Sequence, residues 1–387
     1  MLGTEHNTLD YRPNIILFAR HFPPHVSGGA RRPYYLAKAL QDLGCQVFVV
    51  APALPDDVEG IAVPHVQPDP SLEPPGRASL RDILRNWLLW PDPDIRWTKR
   101  AVRAAKQALP FKPDWVMTTS PPESIHYAGV QFKSDFGCAW YADFRDHWLV
   151  RPFRKQRENA LRQWIERKIA TGMLCKADLI STVNEDITAE VRQYCQSEAQ
   201  VFTLPHFSIK GDAEVITLNP DHLNLVYTGS FSLSDPDCHI GDTLAVFEAA
   251  RQKNPALHLH IAGRLSTEEE AQVRACAGAG AITLYGVVPL QSAHALQRAA
   301  DALVLAGSPH ALTPPGKAAE YAASGKPIIA ISEAQWACSF NGQCTAEENL
   351  ISLNEDGVCL VSVPECNQSH AAKNILRKMA ALAAIIK

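Results

Sequence analysis

The chain has 387 residues, 46% of them hydrophobic and 20% charged, with a formal net charge of −4 and a pI of about 6.4. That composition excludes a disordered chain, and the acidic pI speaks against a nucleic-acid partner. No run of about 20 apolar residues is present, which excludes a membrane-spanning helix. The polar and charged residues 1–12 lack the apolar stretch of a secretory signal. Ten cysteines are scattered without a C-x-x-C pair, the usage of reduced thiols in a cytoplasmic protein. Four of them, Cys338, Cys344, Cys359 and Cys366, cluster late in the chain at spacings foreign to zinc sites, so no metal is expected. At roughly 100–200 residues per domain, the length suggests two domains.

The first element is Asn14-Ile-Ile-Leu-Phe-Ala19, a short apolar run that reads as a buried parallel strand. A loop, His21-Phe-Pro-Pro-His-Val-Ser-Gly-Gly29, precedes a helix over residues 30–43, whose apolar face is Leu36, Ala37, Leu40 and Leu43 and which Gly44 stops. A strand over 45–50 completes a βαβ unit. The alternation continues with a helix over 95–109, a strand over 114–119, a helix over 124–136 and a strand over 138–142. That strand runs into Asp143-Phe-Arg-Asp-His-Trp148. A long basic helix over 154–175, a strand over 177–183, a helix over 185–195 and a strand over 201–204 follow. Residues 206–222 are polar and aperiodic and read as a linker.

The alternation then restarts. Strands are expected over 223–227, 257–261, 282–285, 302–305 and 327–331, and helices over 241–252, 290–299, 317–323 and 371–386. Two successive β/α sets imply two doubly wound, Rossmann-like α/β domains facing each other across a cleft. The expected division is 1–205, a linker over 206–222, a second domain over 223–370, and a terminal helix, 371–387, able to cross back to the first domain. Ligands of such sheets bind beyond the carboxyl ends of the strands.

Three segments carry residues suited to chemistry. In Thr313-Pro-Pro-Gly-Lys-Ala-Ala-Glu-Tyr-Ala-Ala-Ser-Gly-Lys-Pro327, two prolines and a glycine open a short helix and Gly325 closes it. Free N–H groups at the helix start suit a pyrophosphate, and Lys317 in the first turn adds a point charge. Glu320 lies three residues on, and a carboxylate accepts from both hydroxyls of a ribose. The same spacing also describes a capped helix with an exposed ion pair. In the second segment, Gly28 and Gly29 precede a helix, which fits a phosphate loop or a plain tight turn. The third is Asp143-Phe-Arg145-Asp146-His147-Trp148 at the end of a strand. There Asp143 with Arg145 reads as a structural ion pair, and Asp146 or His147 as a base near an acceptor hydroxyl.

The first of these segments resembles the donor-binding helix of GT-B glycosyltransferases, in the large retaining family that builds surface polysaccharides and glycolipids. The polysaccharide-assembly branch has a pattern close to Pro-x-Lys-x-x-Glu-Tyr-x-x-x-Gly-x-Pro, and this chain has Pro315, Lys317, Glu320, Tyr321, Gly325 and Pro327. The double glycine is similar to the family's first loop, and the Asp-Phe-Arg-Asp segment to its acceptor-side motif. The resemblance implies that Glu320 binds the nucleotide ribose and Lys317 the diphosphate, with Gly28 and Gly29 beside it. It implies that Gly229, Ser230 and Arg264 border the donor, and that Val287 and Val288 lie in the loop reading the base. Asp146 is the preferred catalytic residue, with Asp143 and His147 as alternatives. Two departures stand out. Many members carry a second acid before the conserved glutamate with seven residues between the two, a position where this chain has Leu312. Many also carry an Arg and a Lys in the loop that is here 231–242, which has neither.

The implied reaction moves a sugar from a nucleotide-diphosphate sugar to a hydroxyl, on a lipid-linked or saccharide acceptor, without a metal or other cofactor. A nucleotide-sugar 2-epimerase and an inactive donor-binding partner subunit are the alternatives. Residues 77–112 and 145–176 each hold nine Lys or Arg against three acids, with aromatic residues interleaved. Such a surface suits either a solvated helix face or docking on an anionic inner membrane leaflet.

Overall fold

The computed structural model describes residues 11–25, 28–65, 89–149, 160–195, 201–207, 215–276, 278–341, 344–353 and 368–386. They form two compact units, one made of Met1–Phe207 with Cys366–Lys387 and the other of Ser208–Glu365.

The first unit is built on seven parallel strands: β1 (Asn14–Ala19), β2 (Gln46–Ala51), β3 (Gly60–Ala62), β4 (Trp115–Ser120), β5 (Ala139–Phe144), β6 (Leu179–Thr182) and β7 (Val201–Thr203). Their order is β3-β2-β1-β4-β5-β6-β7. The helices are α1 (Gly28–Asp42), α2 (Ile95–Ala108), α3 (His126–Phe136), α4 (Ala160–Leu174) and α5 (Glu185–Arg192). Because successive side chains of a strand point to opposite faces, β1 feeds two cores at once. Ile16 and Phe18 pack with Trp97 and Ala101 of α2 and Phe132 of α3, while Ile15 and Leu17 pack with Leu36 and Leu40 of α1. Full burial on both faces explains why these strands are continuous apolar runs.

The second unit carries β8 (Leu223–Thr228), β9 (Leu257–Ala262), β10 (Ile282–Gly286), β11 (Ala302–Ala306) and β12 (Ile328–Ile331). They form a parallel sheet in the order β10-β9-β8-β11-β12. Its helices are α6 (Ile240–Lys253), α7 (Thr267–Ala275), α8 (Leu290–Ala299), α9 (Lys317–Ser324), α10 (Cys338–Asn341) and α11 (Ala346–Ile351). In both sheets the chain reverses direction of winding beside the first strand, between β1 and β4 and between β8 and β11. A crevice opens at such a point beyond the carboxyl ends.

The last helix, α12 (Gln368–Ile386), belongs to the first unit, where Ala371, Ala372, Ile375 and Met379 join the core containing Leu36 and Leu40 of α1. The second unit therefore ends at Glu365, five residues ahead of the expected end of the second domain at 370. The expected linker is also shorter than its polarity implies. Phe207 is buried in the first unit, and Ile216 and Leu218 pack on a core cluster of the second. Three-residue β3 and helices α7, α10 and α11 have no counterpart in the sequence reading. Helix α7 carries three consecutive glutamates, buries only Val273 of its apolar side chains in the core, and is capped by local hydrogen bonds. Ser266 Oγ accepts from the Glu269 N–H, and Glu269 Oε2 accepts in turn from the Ser266 N–H at 2.7 Å. Of the long basic helix, residues 154–159 lie outside the described residues, and the remainder is α4. The eight cysteines among the described residues are all free.

Candidate active site

In the second unit, β8 ends at Thr228, and the backbone then passes through Gly229 with φ +121°. This left-handed conformation is one that side-chain-bearing residues rarely adopt. A Cβ on Gly263, just past β9, would collide with the carbonyl oxygen of Gly229, so the two loops lie backbone to backbone. Helix α9 begins beside them. Its N-cap, Gly316, offers no side-chain cap, and its C-cap Gly325 has φ +70°. Tyr321 is fully buried and ties α9 to β8, its hydroxyl 2.8 Å from the Thr228 N–H. Gln297 of α8 donates to Thr228 Oγ1 at 2.8 Å.

Lys317, in the first turn of α9, reaches the same place. Its Nζ lies 2.8 Å from the Tyr227 hydroxyl and 3.0 Å from where a Cβ on Gly229 would sit. The structure thus gathers Gly229, Gly263 and Lys317 at the carboxyl end of β8, with the start of α9. Glu320 is one turn on, its Oε2 4.0 Å from His294 Nε2, and shares a surface pocket with His294, Gln297 and Arg298. Ser230 is half-buried, and its carbonyl accepts from Tyr227. Arg264 is exposed. Val287 is 66% exposed, whereas Val288 packs on the cluster of Leu296 and Tyr321. Leu312, at the position of the missing acid, is 55% exposed.

At the carboxyl edge of the first unit, the ion pair differs from the expected one. Asp143 is 1% exposed and pairs with Arg32 of α1, not with Arg145. Its Oδ2 accepts from Arg32 Nε at 3.0 Å and Thr119 Oγ1 at 3.1 Å. Its Oδ1 accepts from Arg32 Nη2 at 2.8 Å and Ser181 Oγ at 2.6 Å. Burial raises the pKa of this carboxyl, but the Arg32 guanidinium and the hydroxyls outweigh it and hold it below its ordinary value. Four donors fill its lone pairs, which removes Asp143 from the catalytic candidates.

Arg145 is buried and binds backbone instead. It donates to the carbonyls of Ser120 at 2.8 Å, Pro121 at 3.3 Å and Gly29, bracing the start of α1 against the loop after β4. A Cβ on Gly29 would meet the guanidinium, which would have to shift. Gly28 is the first residue of α1. His147 turns toward α5, with Nδ1 2.5 Å from Glu190 Oε2, while the other Glu190 oxygen accepts from the Leu149 N–H at 2.7 Å. His147 is thus half-buried against Glu190, and Asp146 is the one of the three with an exposed side chain. The sequence reading gave no role to Arg32, Tyr227, His294 or Gln297. Nothing local marks Arg32, whose partner lies 111 residues away.

Residues 27–205 match the family model described as Glycosyl transferase 4-like domain, and residues 223–363 the model described as Glycosyl transferases group 1. No curated protein sequence matches the chain. Among solved structures, Anabaena Alr3699/HepE in complex with UDP and glucose is 13% identical, with a TM-score of 0.58 over 97% of this chain and 98% of that one. The S. aureus MnaA–UDP structure is 12% identical, with a TM-score of 0.58 over 94% and 95%. A Listeria monocytogenes structure described as a candidate UDP-N-acetylglucosamine 2-epimerase is 13% identical, with a TM-score of 0.55 over 95% of each chain. With one glycosyltransferase model matched on each of its two parallel α/β units, the chain belongs to the GT-B glycosyltransferases.

Proposed function

We propose that this glycosyltransferase takes its sugar from a nucleotide-diphosphate sugar held by the second unit and delivers it to a hydroxyl of a lipid-linked or polysaccharide precursor. The observation that carries the donor half is the convergence of the Lys317 ammonium, the glycine backbone after β8 and the start of α9. In the reaction the bond between the sugar's anomeric carbon and the diphosphate oxygen breaks, and the diphosphate leaves with the electron pair. Lys317 and the positive end of the α9 dipole would meet that growing charge, an electrostatic contribution that needs no metal. Glu320 would accept from the ribose hydroxyls. Exposed Asp146 is the proposed base or electrostatic group for the acceptor hydroxyl, which bonds to the anomeric carbon as it loses its proton. A hexosyl unit and retained anomeric configuration are part of the proposal.

UDP is the natural first probe, since the Anabaena and S. aureus structures contain it. A thermal-shift screen of nucleoside diphosphates should stabilise the protein by mass action. An absence of any shift, or a shift left unchanged by Glu320→Ala, would sink the donor site. Slow donor hydrolysis should persist in EDTA and vanish in Asp146→Asn with nucleotide binding kept. The Listeria relative keeps a 2-epimerase in view. Turnover of the donor without any acceptor would favour it.

No helix among the described residues is long and apolar enough to cross a membrane. We propose instead that α4 rests on an anionic leaflet. Leu161 and Trp164, 57% and 58% exposed, share a face with exposed Arg167 and Lys168, and the helix's one acid, Glu166, is buried. The protein should float with anionic liposomes at low salt, and Trp164→Ser with Lys168→Glu should abolish this.

A further inference from the structure

Lysine is a poor fixed charge: its ammonium rides on a flexible four-carbon stem and loses much rotamer freedom on being held. In this chain the problem is acute, because the loop 231–242 that follows β8 contributes no Lys or Arg. The structure supplies a holder from beneath. Tyr227, the penultimate residue of β8, is fully buried, and its ring stacks on Phe231 at 4.0 Å between centroids and 12° between planes. Its hydroxyl donates to the Ser230 carbonyl at 2.8 Å, which fixes the direction of the O–H and turns the oxygen's lone pairs outward. Lys317 Nζ donates to that oxygen at 2.8 Å and stands 4.0 Å from the ring centroid, within reach of the ring's negative face.

We infer that Tyr227 is a positioning residue, which holds the Lys317 ammonium against the Gly229 backbone ahead of the ligand so that a diphosphate meets a cation already in place. The inference rests on the nucleotide-sugar function proposed above. Pre-organisation of this kind raises affinity by removing the ordering cost from the binding step. It also gives the Tyr227-Thr-Gly229-Ser230 segment a division of labour: Tyr227 aims the cation, Gly229 leaves room for it, and the Ser230 carbonyl orients Tyr227.

A double-mutant cycle on the full-length protein tests it. Binding of UDP, GDP, ADP and dTDP is titrated calorimetrically to the wild type, Tyr227→Phe, Lys317→Ala and the double variant. Tyr227→Phe keeps the ring and its stack on Phe231 and removes only the hydroxyl, and its unfolding midpoint is recorded alongside. The expected result is an affinity loss of about fivefold in Tyr227→Phe, the scale of one net hydrogen bond. No further loss is expected when the substitution is added to Lys317→Ala. A merely structural role, such as loosening the loop after β8, would weaken binding in both backgrounds, and that outcome overturns the inference. So does wild-type affinity in Tyr227→Phe. If the wild type binds none of the four nucleotides, the donor-site proposal itself fails and this inference falls with it.

Discussion

At the carboxyl end of β5, the first unit buries an acid and an arginine together and lets a second arginine clasp three backbone carbonyls. At the carboxyl end of β8, the second unit presses two glycine backbones together and leaves a lysine beside them on a tyrosine. Both sheets are parallel and reverse their winding beside the first strand, so the contrast lies in the materials, not the plan. A buried ion pair holds loops firmly but exposes the fold to large losses if one partner goes. Backbone against backbone holds loops closely while keeping side chains, and hence charge, out of the gap. The first edge is thus organised around a buried ion pair, and the second around backbone contact with a lysine beside it.

The contrast is broken most severely at Asp143. Asp143→Ala should leave Arg32 buried beside Pro205 and Leu204 carbonyls with no anion, at a cost of about 3–5 kcal/mol. Urea unfolding followed by hydrogen exchange in β4 and β5 reads that loss. Removing both charges, as Arg32→Met with Asp143→Leu, should cost less than the single change. If the single change proves milder than the double, the pair is not the brace described. The matching change in the second unit is Gly263→Ala. Its Cβ meets the Gly229 carbonyl, which is backbone and cannot swing aside, and about 2–3 kcal/mol of stability should go. Nucleotide binding should fall with it, because the loops must part. Lys317→Ala should do the reverse: stability within about 0.5 kcal/mol of the wild type, and nucleoside-diphosphate affinity reduced about tenfold, the scale of one charge-assisted hydrogen bond.

What was legible in the sequence follows the same division. The strands β1, β4, β8 and β11 are buried on both faces, so their apolar runs announce them. Gly325 announces the end of α9 because a left-handed residue is needed there. The Lys317 and Glu320 spacing is local and could be read directly. The Arg32–Asp143 pair could not, since the sequence offers Arg145 two residues from Asp143 and gives no sign that it turns to carbonyls instead. Helix α7 escaped for a different reason: it has one core side chain, Val273, and shows a capping box and a Glu269 contact to the Ser232 N–H at 2.9 Å in place of an apolar period. Tyr227 looked like one more apolar strand residue, and only the fold shows its hydroxyl set between the Ser230 carbonyl and Lys317.

The smallest expected effect is a difference in pH response. His126 in the first unit is fully buried among Trp140, Phe144 and Trp148, and burial lowers its pKa to about 3. His260 in the second unit is lowered to about 4, first by burial and then by His258 and His222. The rings of His260 and His258 are 4.7 Å apart, and those of His258 and His222 stack at 4.8 Å. His260 Nε2 bonds Asn224 Oδ1 and its Nδ1 the Tyr285 hydroxyl, each at 3.0 Å, an arrangement that uses the neutral ring. A histidine whose folded pKa lies below its unfolded value of about 6.5 binds fewer protons folded than unfolded. Its stabilising contribution is therefore complete above pH 6.5 and is lost as pH falls toward the folded value. Both units should weaken between pH 6.5 and 4, the first continuing toward pH 3. His260→Gln should flatten this response in β9 while leaving it intact in β4 and β5. Hydrogen exchange at pH 7.5 and pH 5, with rates corrected for intrinsic exchange, separates the two sheets. An unchanged pH response in β9 of the variant would mean that His260 contributes nothing to the acid sensitivity of the second unit.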